Sequence, residues 1–158
     1  MSHSTALANR LREVILNGTW IANTNYKAQL EEVPLKKALE KIGDFNSLAA
    51  LTFHIHYYIK GILDVFEGKP LTIRDRYSFD VPDIHREEDW NALKESLWQD
   101  TELLAQEIEN FSESNWSLAF CDGKYGSYQR NMDGLVEHAY YHLGQVVILK
   151  KQLYNLKL

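Results

Sequence analysis

Four stretches of this chain repeat apolar residues every three or four positions, and no pair of alternating apolar runs is joined by a hairpin turn. Long amphipathic helices of that kind can hide their stripes only against one another. The first pattern runs from about Ala6 to Leu16, with Leu7, Leu11, Val14 and Ile15 on one side, and halts at Asn17-Gly18. The second follows a cap at Asp44 or Asn46 and continues through Leu48, Leu51, Ile55, Ile59, Ile62 and Phe66 to Gly68-Lys69-Pro70. The third spans about Glu87 to Phe111 on Trp90, Leu93, Leu97, Thr101, Leu104 and Ile108. The fourth begins near Ser127 and reaches about Tyr154 with Met132, Leu135, Ala139, Val146, Leu149 and Leu153 on one side. A loop through Trp20 and Tyr26 leads to a short helical piece, Leu35 to Ile42, between Pro34 and Gly43, and Leu71 to Asp83 reads as a long loop. The expected fold is therefore all-α, a four-helix bundle with a short extra helix between the first and second main helices.

The 158 residues suit a single domain, 1–158, and 45% hydrophobic residues with only 8 glycines and 3 prolines exclude collagen-like and disordered chains. Cys121 is the one cysteine, so neither an intrachain disulfide nor a thiolate zinc site can form, and any metal must be held by nitrogen and oxygen. With 17 basic and 22 acidic residues interspersed, the net charge of −5 argues against a nucleic-acid partner. Arg10, Arg12 and Glu13 interrupt the first apolar pattern, which is no signal peptide, and no stretch approaches the ~20 apolar residues of a membrane span. The expected setting is cytoplasmic, away from membranes.

The chemistry-bearing residues are the histidines. His138 and His142 stand four apart on the fourth helix, where their Cβ atoms lie about 6 Å from each other on one face. Wound at about 100° per residue from Leu135, His142 falls about 20° off the apolar stripe, His138 about 60° and Gln145 about 80°, all to the same side. The pair thus faces the interior, where an imidazole needs partners for its nitrogens. On the second helix, His54 lies about 60° from Leu51 and His56 about 140°, towards solvent or the far flank. His54 is the better third ligand, and three neutral imidazoles from two facing helices would leave positions open for water or substrate. The plainer alternative is that these are core histidines bonded to Tyr140, Tyr58 or a backbone carbonyl. Gln145 is a polar edge residue or a hydrogen-bond partner of a ligand imidazole. His3 reads as a disordered terminal residue and His85 as a loop or helix-start residue.

Other catalytic templates fail. Ala139 follows His138, so the glutamate base of His-Glu-x-x-His zinc proteases is missing, and no histidine has a glutamate three residues before it, as ferritin-like di-iron sites require. Neither a phosphate-binding loop nor a Gly-x-Ser-x-Gly elbow occurs, and Cys121, in Phe120-Cys121-Asp122-Gly123, reads as an ordinary thiol.

Asn46-Ser47-Leu48-Ala49-Ala50-Leu51-Thr52-Phe53-His54 on one helix, with His138-Ala139-Tyr140-Tyr141-His142-Leu143-Gly144-Gln145 on the last, resembles the DinB/YfiT-like superfamily of bacterial metalloenzymes. The likeness covers nearly the whole chain, and the terminal His-x-x-x-His-x-Gly-Gln segment is its most specific part. It implies a four-helix bundle holding one divalent metal ion, zinc or nickel, through His54, His138 and His142, and a homodimer. Some relatives are transferases that add a low-molecular-weight thiol to electrophiles, so the resemblance implies a metal-dependent, thiol-dependent S-transferase; catalytic residues beyond the ligands are not indicated by it.

Arg74, Arg76 and Tyr77 are candidate substrate contacts on the long loop. Two other functions stay open. One is metal-dependent hydrolysis with the same ligands; the other is a non-catalytic stress-response or binding module, for which an exposed apolar patch including Tyr141 and Ile148 would serve.

Overall fold

The computed structural model describes residues 1–155 and is all-helical, with no strand among the described residues. Helix α1 (His3–Arg12) runs on into a wider turn over Glu13–Asn17; α2 (Tyr26–Leu30) and α3 (Leu35–Leu39) are short; α4 (Leu48–Phe66), α5 (Glu87–Asn110) and α6 (Tyr128–Leu153) are long. Ends are set by ordinary capping chemistry. Ser2, Ser47 and Ser127 accept the backbone N–H of Thr5, Ala50 and Arg130, which satisfies donors that a helix start leaves free. The cap of α4 is thus Ser47 and neither Asp44 nor Asn46, the two expected from sequence, because the serine hydroxyl is the group in reach of a first-turn N–H.

Two expectations change. The stretch read as loop around Tyr26 contains α2, capped by Asn25, and Tyr26 is fully buried with its hydroxyl donating to the Ala139 carbonyl of α6 at 3.0 Å. His3 is ordered within α1, its ring edge-on to Trp116 and hydrogen-bonded to Gln129. A tertiary contact orders α2, which is too short to reveal itself by periodicity, and another fixes His3 in the first turn of α1, ahead of the apolar pattern.

The apolar faces meet in one continuous core drawn from every α-helix. The most extensive helix–helix interfaces are α4 with α5 and α1 with α5, while α6 packs on α4, α2 and α1. Where polar groups enter this core they are matched. Trp90 Nε1 donates to the Val33 carbonyl at 2.7 Å, Lys94 Nζ to the Glu31 backbone carbonyl at 2.9 Å, and the Arg12 guanidinium of α1 forks onto Glu102 and Glu109 of α5. No helix of the described residues is long and apolar enough to cross a membrane.

The loop after α4 folds back along that helix. Tyr57 accepts the Arg74 N–H at 2.8 Å and donates to its carbonyl at 3.1 Å, and Tyr58 donates to Asp75 at 2.9 Å. Gly61 permits the approach, since a Cβ there would stand 2.5 Å from the Ile73 side chain. Asp75–Tyr77 form a single helical turn, and the following two residues reach the histidines.

Candidate metal centre

His54 projects from α4, and His138 and His142 from successive turns of α6. The structure brings the three rings together: one nitrogen from each lies within 4.8 Å of the others, a group that could hold a metal ion. Ring centroids are 5.0 Å apart for His54 and His138, 4.6 Å for His54 and His142, and 4.5 Å for His138 and His142.

Second partners settle which nitrogens face inward. His54 Nδ1 is 3.2 Å from the Ser78 carbonyl, which can only accept, so the proton sits on Nδ1 and Nε2 carries the lone pair. His142 Nδ1 donates in the same way to Gln145 Oε1 at 2.8 Å. His54 Nε2 and His138 Nε2 face each other at 3.1 Å. Two nitrogens bound to one ion at about 2.1 Å would stand about 3.0 Å apart in octahedral and about 3.4 Å apart in tetrahedral geometry. The observed separation lies between these values, so this pair fits a divalent ion in both chemistry and spacing, and the His142 ring brings a third nitrogen within 4.8 Å of both.

Electrostatics favours the same state. Burial, followed by the positive charge that His142 would carry, holds His54 down to about 4; burial, His142 and His54 do the same to His138. Burial also lowers His142, against the opposing effect of the hydrogen bond it donates to Gln145. Near neutral pH the rings are uncharged, which is the form a metal binds.

The surroundings fix ring planes. Phe79 stacks on His54 at 4.0 Å with an interplanar angle of 11°, and Tyr58 presents its ring edge-on to both His54 and His138 at 5.1 Å. Tyr26 pins α6 at Ala139, the position directly after His138. Of these supports the sequence pointed to Tyr58 alone, as a candidate partner of the histidines. Ser78 acts through its backbone, which any residue could supply; Phe79 and Tyr26 lie in segments without a helical pattern.

The remaining histidines are elsewhere. His56 lies on the far flank of α4 and pairs with Asp100 of α5 at 2.7 Å, and His85 is exposed ahead of α5. Arg76 stacks over Tyr77 at 4.5 Å on the outside of the loop, whereas Arg74 borders a cleft beside the centre. Cys121 is exposed, and burial of its sulfur followed by nearby Asp122 pushes its thiol up, away from nucleophilic thiolate. Tyr141 and Ile148 are exposed on the outer side of α6.

The class defined by fold and site is an all-helical protein with a cluster of three histidines able to hold a metal ion. Comparison with protein-family models, with curated proteins and with solved structures finds no match in any of the three.

Proposed function

We propose that the protein is a divalent-metal-binding four-helix bundle of the DinB/YfiT-like kind, formed by α1, α4, α5 and α6, and that it works as a metal-dependent, thiol-dependent S-transferase on small electrophiles. The observation that carries the metal part is the convergence of His54, His138 and His142, with outer nitrogens of two rings anchored and inner nitrogens 3.1 Å apart across the helix pair. The transferase part rests on the likeness of the two histidine-bearing segments to that superfamily.

Zinc or nickel held there would lower the pKa of a bound thiol or water and so supply a nucleophile near neutral pH. The chain's own share is orientation. Ser78 and Gln145 hold the rings of His54 and His142, while Tyr58, its hydroxyl tied to Asp75, forms the wall between the histidines and the neighbouring cleft. An anchored ligand set keeps its geometry while a guest exchanges in the open positions.

The test is elemental analysis of protein purified without an affinity tag, followed by turnover of monochlorobimane with and without added thiol. Wild type should carry one zinc or nickel ion per chain and consume the electrophile only with thiol present, and His138→Ala should lose both properties. Ester hydrolysis without thiol would replace the transferase by a hydrolase. If metal is bound and neither reaction occurs, the protein is a non-catalytic binding module; if wild type and His138→Ala carry equal metal, the centre itself is refuted.

A further inference from the structure

A cleft of about 1110 Å³ lies beside the histidines, between the loop that follows α4 and the loop that precedes α6. Its floor is the flank of α4 that carries Ile62 and Val65, and its walls include Leu71, Phe120 and Tyr128. Tyr58 and Asp75 close the end nearest the histidines, with the Tyr58 ring against His54 and His138. This volume is slightly above the ~300–1,000 Å³ usual for small-molecule sites, so a ligand would fill part of it, and an apolar lining with a few polar groups is the usual make-up of such sites.

The charges around it are unequal in what they have left to offer. Asp75 already accepts the Tyr58 hydroxyl, and Asp122 accepts the Lys124 backbone N–H at 3.0 Å. Lys69 is held by Asp64 and Glu67 at 2.9 and 2.5 Å. Arg74 and Lys124, one on each bordering loop, make no ion pair among the described residues, and Lys124 lies over the Tyr125 ring at 5.1 Å. Two cations with no ion pair among the described residues, on the two loops that border a largely apolar cleft, suit an anion attached to a ring or branched hydrocarbon.

We infer that this cleft binds small organic anions, carboxylates or sulfonates with an apolar ring-bearing body, with the acid group between Arg74 and Lys124 and the body on Ile62 and Val65. Binding there stands on the cleft alone; its value as the substrate class of the proposed enzyme rests on the metal-centre reading, since only then does the Tyr58 end of the ligand lie beside a reactive position.

Two dyes of matched shape test it. 1-Anilinonaphthalene-8-sulfonate carries the acid group, and N-phenyl-1-naphthylamine is the same ring system without it. The sulfonate should bind saturably, one per chain, and at least about tenfold more tightly than the neutral dye, and Arg74→Gln with Lys124→Gln should abolish that difference while leaving the neutral dye unaffected. Both positions are exposed, so the substitutions leave the core intact.

Cys121, the single cysteine, also borders the cleft and reports on it. Saturating sulfonate should slow its labelling by a maleimide, and labelled protein should no longer bind the dye. Equal affinity for the two dyes, an undiminished preference in the double variant, or labelling indifferent to the dye would each overturn the assignment. His138→Ala separates the two readings: it should lose metal and keep dye binding, so a failed metal centre leaves the cleft standing and a failed cleft leaves the metal centre standing.

Discussion

The two flanks of α4 are built from similar residues and end in different states. Winding about the central Ile55 sets Thr52, His56, Ile59 and Leu63 on one side and His54, Tyr58, Ile62 and Val65 on the other. The first side is sealed at its centre, where Thr52 and Ile59 are 0% exposed and Leu63 is 1%, and at its partly exposed edge His56 is bonded to Asp100 of α5. The second is slightly open, with Ile62 and Val65 both 8% exposed over the cleft and His54 turned towards two other imidazoles. Two histidines only two positions apart thus show the difference between a polar group matched by a carboxylate for structural reasons and one whose inner nitrogen meets only other ring nitrogens. A helix can pack firmly on one flank and so hold a site steady on the other.

Truncations on the two flanks should break or sharpen this contrast most. Ile59→Ala opens a hole in a fully closed region and should destabilise metal-free protein by about 2–5 kcal/mol in urea unfolding. Ile62→Ala opens onto the cleft, where solvent can fill the space, and should cost less than about 2 kcal/mol. Equal losses at the two positions would mean that the flank facing α6 is packed as tightly as the one facing α5.

How much of this was readable beforehand follows from the range of the forces involved. Periodicity reports burial along one helix, so α4, α5 and α6 were legible within a residue or two at each end, and the winding of His54, His138 and His142 placed them on inward-facing arcs. The same winding left His56 between solvent and the far flank, because only the presence of Asp100 on a different helix decides between them. What periodicity could not carry was anything fixed across the fold by a single bond: Tyr26 reaching Ala139, Ser78 presenting a carbonyl to His54, or Phe79 lying flat on that ring. Gln145 was an intermediate case. Its position near the ligand arc was visible, but its bond to His142 needed the rotamers of both side chains.

That bond supplies the next comparison. Gln145→Leu removes the acceptor that fixes the proton on His142 Nδ1 without touching a ligand, and should weaken zinc binding by about 10–100-fold in a chelator competition. His56→Asn, on the sealed flank, should leave zinc affinity unchanged. A loss in His56→Asn as large as in Gln145→Leu would show that the two flanks are coupled through α4, and that the sealed one tunes the open one.

The gentlest probe is pH. In the metal-free protein the folded state holds His54 and His138 near 4, whereas exposed histidines in the unfolded chain titrate near their ordinary value of about 6.5. Between those values the unfolded chain binds more protons than the folded one, so stability rises with pH across the window. It is fully present above about 6.5, declines as pH falls towards 4, and levels off below that, where both states are protonated. His142 is lowered by the same burial and adds to the slope, and the three rings take up protons as a coupled set rather than singly. Unfolding midpoints of metal-free wild type should therefore fall steadily from pH 7 to pH 4.5. His138→Asn should flatten that decline, because it removes one of the rings and part of the repulsion that depresses the others. An unchanged slope in His138→Asn would assign the acid sensitivity to groups away from the cluster, and the burial of its three rings would then no longer set the open flank of α4 apart.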